Sequence, residues 1–194
     1  MRGQELRVSG SGGGQVLPLA NGWRFELPGG GGRVYRLAQI ADGWNVLRCD
    51  LPWRPPLRLS LRGRVSAASL PGTWGFGLWN DPFTAQWGLN GMVRRLPTLP
   101  QAAWFFHAGA ENYLTLRDDL APNGFLAGVF AARWFPGILL GVGVPLFALP
   151  PLARLLRRLG RHWVREAAFR LQVDQTAWHE YCLKWEEKAV RWFV

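Results

Sequence analysis

Cysteine is nearly absent: Cys49 and Cys182 are the only two in the chain. Two cysteines cannot make the disulfide framework of a small secreted scaffold. No Cys/His cluster has the spacing of a zinc site, so neither a metal nor a cofactor is expected. Lysine is equally scarce. Lys184 and Lys188 are the only two, and arginine carries the rest of the positive charge. Residues 1–30 hold no apolar core of a secretory signal, which makes the cytoplasm the expected location. The glycines at 29–32 lack the strand–GxGxxG–helix context of a nucleotide loop, which argues against phosphate binding there.

What is abundant is tryptophan, with 12 residues, and positive charge, with a net of +10. The charge suggests an anionic partner: nucleic acid, acidic polysaccharide or lipid headgroups. The tryptophans suit a wide sheet sandwich packed with aromatics, with two or three of them exposed as stacking platforms. The densest stretch is GTWGFGLWNDPF, Gly72 to Phe83. Its period of two predicts a strand. Gly75, Gly77 and Trp79 fall on one face; Trp74, Phe76 and Leu78 fall on the other. Glycine inside a strand marks the close approach of a ligand or of another backbone. Trp79, Asn80 and Asp81 then offer a stacking ring, an amide and a carboxylate, which suits a sugar. The same three residues also suit a plain turn at Pro82 with Trp79 in the core.

Along the chain, residues 1–22 read as a loose, glycine-rich arm with a weak strand, Arg33–Asp42 as a strand and Trp44–Leu51 as another. Leu57–Ser66 alternates most cleanly. Leu57, Leu59, Leu61 and Val65 share the buried face, and Arg58, Arg62 and Arg64 lie on a solvated one. Further strands are predicted over Ala102–His107 and Asn112–Arg117, and a hairpin from Trp178–Trp185 and Val190–Val194. Regular spacing of strands and turns suggests a sandwich.

Between these strands the composition changes. Trp134–Ala153 has no charged residue, the length of a membrane span. Its prolines and glycines argue against one straight helix. Pro151 then opens an amphipathic pattern. Leu152, Leu155, Leu156, Leu159, Trp163 and Ala167 occupy one arc, and Arg154, Arg157, Arg158, Arg161 and Arg165 the other. The pattern suits a helix packed on the sandwich or, the reading adopted, one lying on an anionic membrane.

Two segments carry a resemblance. RGRVSAASLPGTWGFGLW, ending at Trp79, and WHEYCLKWEEKAVRWFV, Trp178–Val194, resemble glycoside hydrolase family 16. YRLAQIAD at Tyr35–Asp42 and WNDPF at Trp79–Phe83 are similar to a bacterial branch of the same superfamily. The resemblance implies a concanavalin A-like jelly roll of two antiparallel sheets, with further strands expected after Val194. It also implies a sugar-binding face. The family carries E-x-D-x-E or E-x-D-x-x-E on the strand after the glycine–aromatic one. Here that strand reads AAWFFHAGAENY, residues 102–113, with Glu111 as its only carboxylate. Retaining glycosidases need two carboxylates about 5–5.5 Å apart, so only a rearranged Asp81–Glu111 pair could replace the motif.

The sequence thus predicts an all-β, concanavalin A-like jelly-roll sandwich from residues 1–123 and 171–194. A helical insertion over 124–170 interrupts it. The expected function is non-catalytic glycan or glycolipid binding through Trp79, Asn80, Asp81, His107, Glu111, Trp178 and His179. Attachment to an anionic membrane is expected through Trp134, Phe135, Leu152, Leu155, Leu156, Leu159 and Trp163, with Arg154, Arg158 and Arg161. The alternative is a divergent family 16 hydrolase. Nucleic acid is the weaker partner, because the arginines cluster on one helix without a known binding motif.

Overall fold

The computed structural model describes residues 6–31, 34–42, 45–82, 86–87, 94–96, 98–112, 115–121, 123–132 and 160–194. The chain divides into two compact units, Met1–Pro52 and Trp53–Val194. The first contains β1 (Arg7–Ser11), β2 (Gln15–Leu19), β3 (Gly22–Glu26) and β4 (Leu37–Ala41). β1 pairs with β4, and β2 with β3, both antiparallel. Residues 7–19 are therefore paired strand and turn, not a loose arm. Gly12 and Gly13 take positive φ angles of 58° and 85° in the β1–β2 turn, and Gly14 N–H closes it by donating to Ser11 O at 2.9 Å. The strand expected at Trp44–Leu51 is instead a single 3₁₀ turn at Arg48–Asp50. YRLAQIAD contributes β4 to this first unit.

The second unit is a two-sheet antiparallel sandwich. Its strands are β5 (Leu57–Gly63), β6 (Thr73–Trp79), β7 (Gln86–Trp87), β8 (Arg94–Arg95), β9 (Ala102–Ala108), β10 (Gly124–Ala132), β11 (Val164–Arg170), β12 (His179–Trp185) and β13 (Val190–Phe193). One sheet runs β11-β10-β9-β6 and the other β13-β12-β5, while β7 and β8 form a small ribbon. The leucine/arginine alternation of β5 appears as a strictly alternating burial pattern. The β12–β13 hairpin forms as expected, with Glu186 N–H donating to Ala189 O at 2.8 Å across its turn.

The main core fills the space between the sheets. Phe105, Phe125 and Leu183 are at most 1 % exposed, each such burial being worth about 1.5–3 kcal/mol. Tyr181 from β12 meets Phe76, Phe105 and Phe125 edge-on at ring separations of 5.1, 5.3 and 5.9 Å. A second, smaller core lies on the other face of the four-stranded sheet, built on Ala102, Phe130 and Val164.

That second core explains where the expected helical insertion was misplaced. Residues 124–132 and 164–170 are β10 and β11, hydrogen-bonded to each other over the full register Leu126–Arg170 to Ala132–Val164. β10, GFLAGVFAA, is buried on both faces, so it shows no period of two. The i, i+4 spacing of Trp163 and Ala167 suggests a helix, but Ala167 lies in β11. Residues 160–163 are helical; the rest of the proposed segment, 133–159, lies outside the described residues. The strand expected at Asn112–Arg117 is absent among its described residues, which are irregular with a bend at Leu116. No described helix is long and apolar enough to cross a membrane.

Candidate functional site

β6 positions the first candidate group at its C-terminal end. Gly75 and Gly77 do face away from the main core, together with Trp79. What approaches them is the neighbouring strand β9. A Cβ on Gly77 would sit 2.6 Å from Trp104 Cα, and one on Gly75 would sit 2.6 Å from Phe106 Cδ2. The glycines thus make room for β9 and its two aromatic rings. Trp79 is 40 % exposed and tilts against Trp104 at 6.2 Å. Asn80 and Asp81 are engaged within the fold. Asn80 Nδ2 donates to Leu99 O at 3.0 Å, and its Oδ1 accepts from Gln101 N at 3.0 Å. Asp81 has φ 48° and pairs with the buried Arg95 guanidinium at 3.1 Å. These two side chains hold the strand exit against residues 99–101 and β8, and their polar atoms are directed at protein.

His107 and Glu111 sit at the opposite end of β6. Glu111 accepts a hydrogen bond from Gly72 N–H, just before the strand, whereas Asp81 follows the strand. The seven residues of β6 rise ~3.3 Å each, so the two carboxylates lie about 20 Å apart. This corrects the rearranged Asp81–Glu111 pair: neither glycosidase spacing, about 5–5.5 Å for retaining or about 6.5–9.5 Å for inverting enzymes, is met. The Gly72 N–H holds the Glu111 carboxyl below its usual value, the wrong direction for a general acid near neutral pH. His107 is 7 % exposed and stacks on Trp74 at 5.6 Å. Its Nδ1 has no hydrogen-bond partner among the described residues. It lines a cavity of ≈ 180 Å³ together with Ser69, Leu70 and Asn123.

Trp178 precedes and His179 opens β12 beside the β5–β6 connection, since His179 pairs with Gly63, the last residue of β5. His179 is held by its Nε2 against Asp174 O at 2.7 Å. Asp174 Oδ1 accepts from the Thr176 hydroxyl at 2.6 Å and the Thr176 N–H at 3.0 Å. Those bonds, the hydroxyl first, hold the Asp174 carboxyl below its usual value. The turn they build presents Trp178 outward at 54 % exposure. The Arg62 and Arg64 guanidiniums lie 5.3 and 5.2 Å from the centre of its ring. The seven residues expected to bind sugar therefore separate. Trp79, Asn80 and Asp81 are at one end of the sandwich; His107, Glu111, Trp178 and His179 flank the β5–β6 connection at the other. Arg62 and Arg64 are the functional candidates that the sequence reading treated as a solvated stripe. Their alternation with Leu59 and Leu61 places them on one outer face, but only the tertiary contact places Trp178 there too.

Of the expected membrane contacts, Trp134, Phe135, Leu152, Arg154, Leu155, Leu156, Arg158 and Leu159 lie outside the described residues. Trp163 is 37 % exposed. Arg161 has a structural role: its Nη1 donates to Asp118 at 2.7 Å, and its Nε donates to Leu116 O. Glu166 of β11 accepts from Leu116 N at 2.6 Å and from the Thr115 hydroxyl. Arg117 Nε donates to Asp119 at 2.8 Å. The bonds of Arg161 and Glu166 tie residues 115–118 to the 160–166 segment. Among the described residues no group of three His, Cys, Asp or Glu could hold a metal ion. No protein family, curated protein or solved structure matches this chain.

Proposed function

We propose that this chain is a non-catalytic glycan-binding β-sandwich of the concanavalin A-like jelly-roll type. The observation that carries the reading is Trp178. It is a tryptophan 54 % exposed at the rim of the sandwich, with its position fixed by the Asp174–Thr176 turn and two guanidiniums against its ring. An indole face held this way offers the apolar surface on which a sugar ring stacks, beside donors for its oxygens. The carboxylates support binding over cleavage. Asp81 is paired with Arg95, Glu166 with Thr115 and Leu116, and Glu111 with Gly72.

A glycan array probed with the intact chain tests the proposal, beside a reducing-sugar assay on whichever polymers bind. Binding without release of reducing ends is expected. Hydrolysis abolished by Glu111→Gln would replace this reading with a hydrolase.

A further inference from the structure

We infer that the glycan is polyanionic, bearing carboxylate or sulfate groups, and that it lies along the outer face of the β13-β12-β5 sheet. The inference rests on the glycan-binding reading and narrows it. The register of the sheet places Arg58 beside Lys184 and Arg62 beside Glu180 across β5–β12, and Lys184 beside Arg191 across β12–β13. Burial alternates along β5, so Arg58 and Arg62 both face solvent, and Arg64 follows them outward. This face carries Arg58, Arg62, Arg64, Lys184 and Arg191 against Glu180 within its strands and Glu186 in the hairpin turn. Among the described residues, Arg191 alone of those cations has an ion pair, with Glu186 at 3.3 Å. Elsewhere in this unit, Arg161 meets Asp118 and Arg117 meets Asp119.

The aromatic residues of the same face are also exposed, Trp178 at 54 % and Phe193 at 48 %. Each lies against cations: Trp178 against Arg62 and Arg64, and Phe193 against Lys184, whose Nζ is 5.0 Å from the ring centre. A cation over an aromatic ring is attracted by its quadrupole, which holds the charged heads beside the platform. The hydroxyls of a neutral sugar both donate and accept, and against five cations this face holds few acceptors for the donated protons, namely Glu180, Glu186 and the Ser60 hydroxyl. Guanidinium and ammonium groups offer donors and charge only, so the complementary ligand supplies the acceptors as anions. Single-stranded nucleic acid is also anionic, but a strand-binding groove lines up several aromatic rings for successive bases, and the described residues of this face expose two, Trp178 and Phe193.

The test is equilibrium binding of the intact chain to polygalacturonate, alginate, hyaluronate and chondroitin sulfate. Neutral dextran, laminarin and methyl-esterified polygalacturonate serve as matched uncharged polymers, and a dT20 oligonucleotide as the nucleic-acid probe. Binding to at least one acidic polymer, lost on methyl esterification where that comparison applies and weakened by salt, is expected. Arg62→Gln/Arg64→Gln should weaken it at least tenfold, while Arg7→Gln/Arg24→Gln, which removes the same charge from the first unit, should change it less than twofold. Equal or tighter binding to a neutral polymer overturns the polyanion inference and leaves glycan recognition standing. Binding to dT20 with no glycan bound overturns both, as does binding to none of the probes. Equal weakening by both double variants reduces the site to net charge and overturns the assignment of this face.

Discussion

Gly77 shows how little a residue pattern says about what lies beside it. Its φ of 156° belongs to a region open essentially to glycine alone, and β9 fills the space a side chain would need. Gly77→Ala should therefore destabilise the second unit by about 3 kcal/mol in denaturant unfolding, without a direct effect on any bound sugar. An unchanged midpoint would mean that β6 and β9 are not packed this closely. The alternation of glycine and aromatic residues was legible, and so was the strand it makes. Whether ligand or protein occupied the glycine side was not, because Trp104 and Phe106 lie about thirty residues away in the chain. Asn80 and Asp81 follow the same logic. Their residue types suit sugar hydroxyls, but the same amide and carboxylate suit Gln101, Leu99 and Arg95, and those partners are intramolecular.

At the scale of elements, β10 was hidden by being well packed and β11 by a pattern that also fits a helix. A central strand with a core on each face loses the alternation that identifies a strand, and the mixed arginine and alanine of β11 also fit a helical arc. β5 and the β12–β13 hairpin, each with one wet face, could be read from sequence. Arg117 Nη1 donates to Ala168 O of β11 at 3.2 Å while the same guanidinium pairs with Asp119, which makes the attachment of segment 115–119 sensitive to acid. The Arg117 guanidinium holds the Asp119 carboxyl down to about 2, against an ordinary value of 3.8. A carboxylate lowered on folding stabilises the folded state above the ordinary value, and that contribution is lost as pH falls through the lowered one. Hydrogen exchange should show residues 115–119 losing protection as the pH falls from about 4 to about 2, ahead of β9 and β10. Asp119→Asn should remove that dependence. Simultaneous loss of protection in the segment and the core strands would contradict the picture of a charge-held loop.

In the second unit as a whole, two apolar sheet faces close on each other while the outer face of the smaller sheet stays basic. Leu183, 0 % exposed at the centre of β12, joins the sheets, and Leu183→Ala should cost about 3 kcal/mol of stability in a denaturant titration. A cost below about 1 kcal/mol would mean the sheets are not in full contact. The net charge of +10 suggests an anionic partner. Helical periodicity groups arginines 154–165, most of which lie outside the described residues. Register also gathers Arg58, Arg62, Lys184 and Arg191 on one face of β5, β12 and β13, which no local pattern could reveal, since β5 and β12 are more than one hundred residues apart. The most direct measurement is the affinity of the intact chain for the acidic polymer it binds best, compared between Trp178→Ala and Trp79→Ala. The account predicts at least a tenfold loss for Trp178→Ala and less than a twofold change for Trp79→Ala; loss confined to Trp79→Ala, or no loss in either, would contradict it.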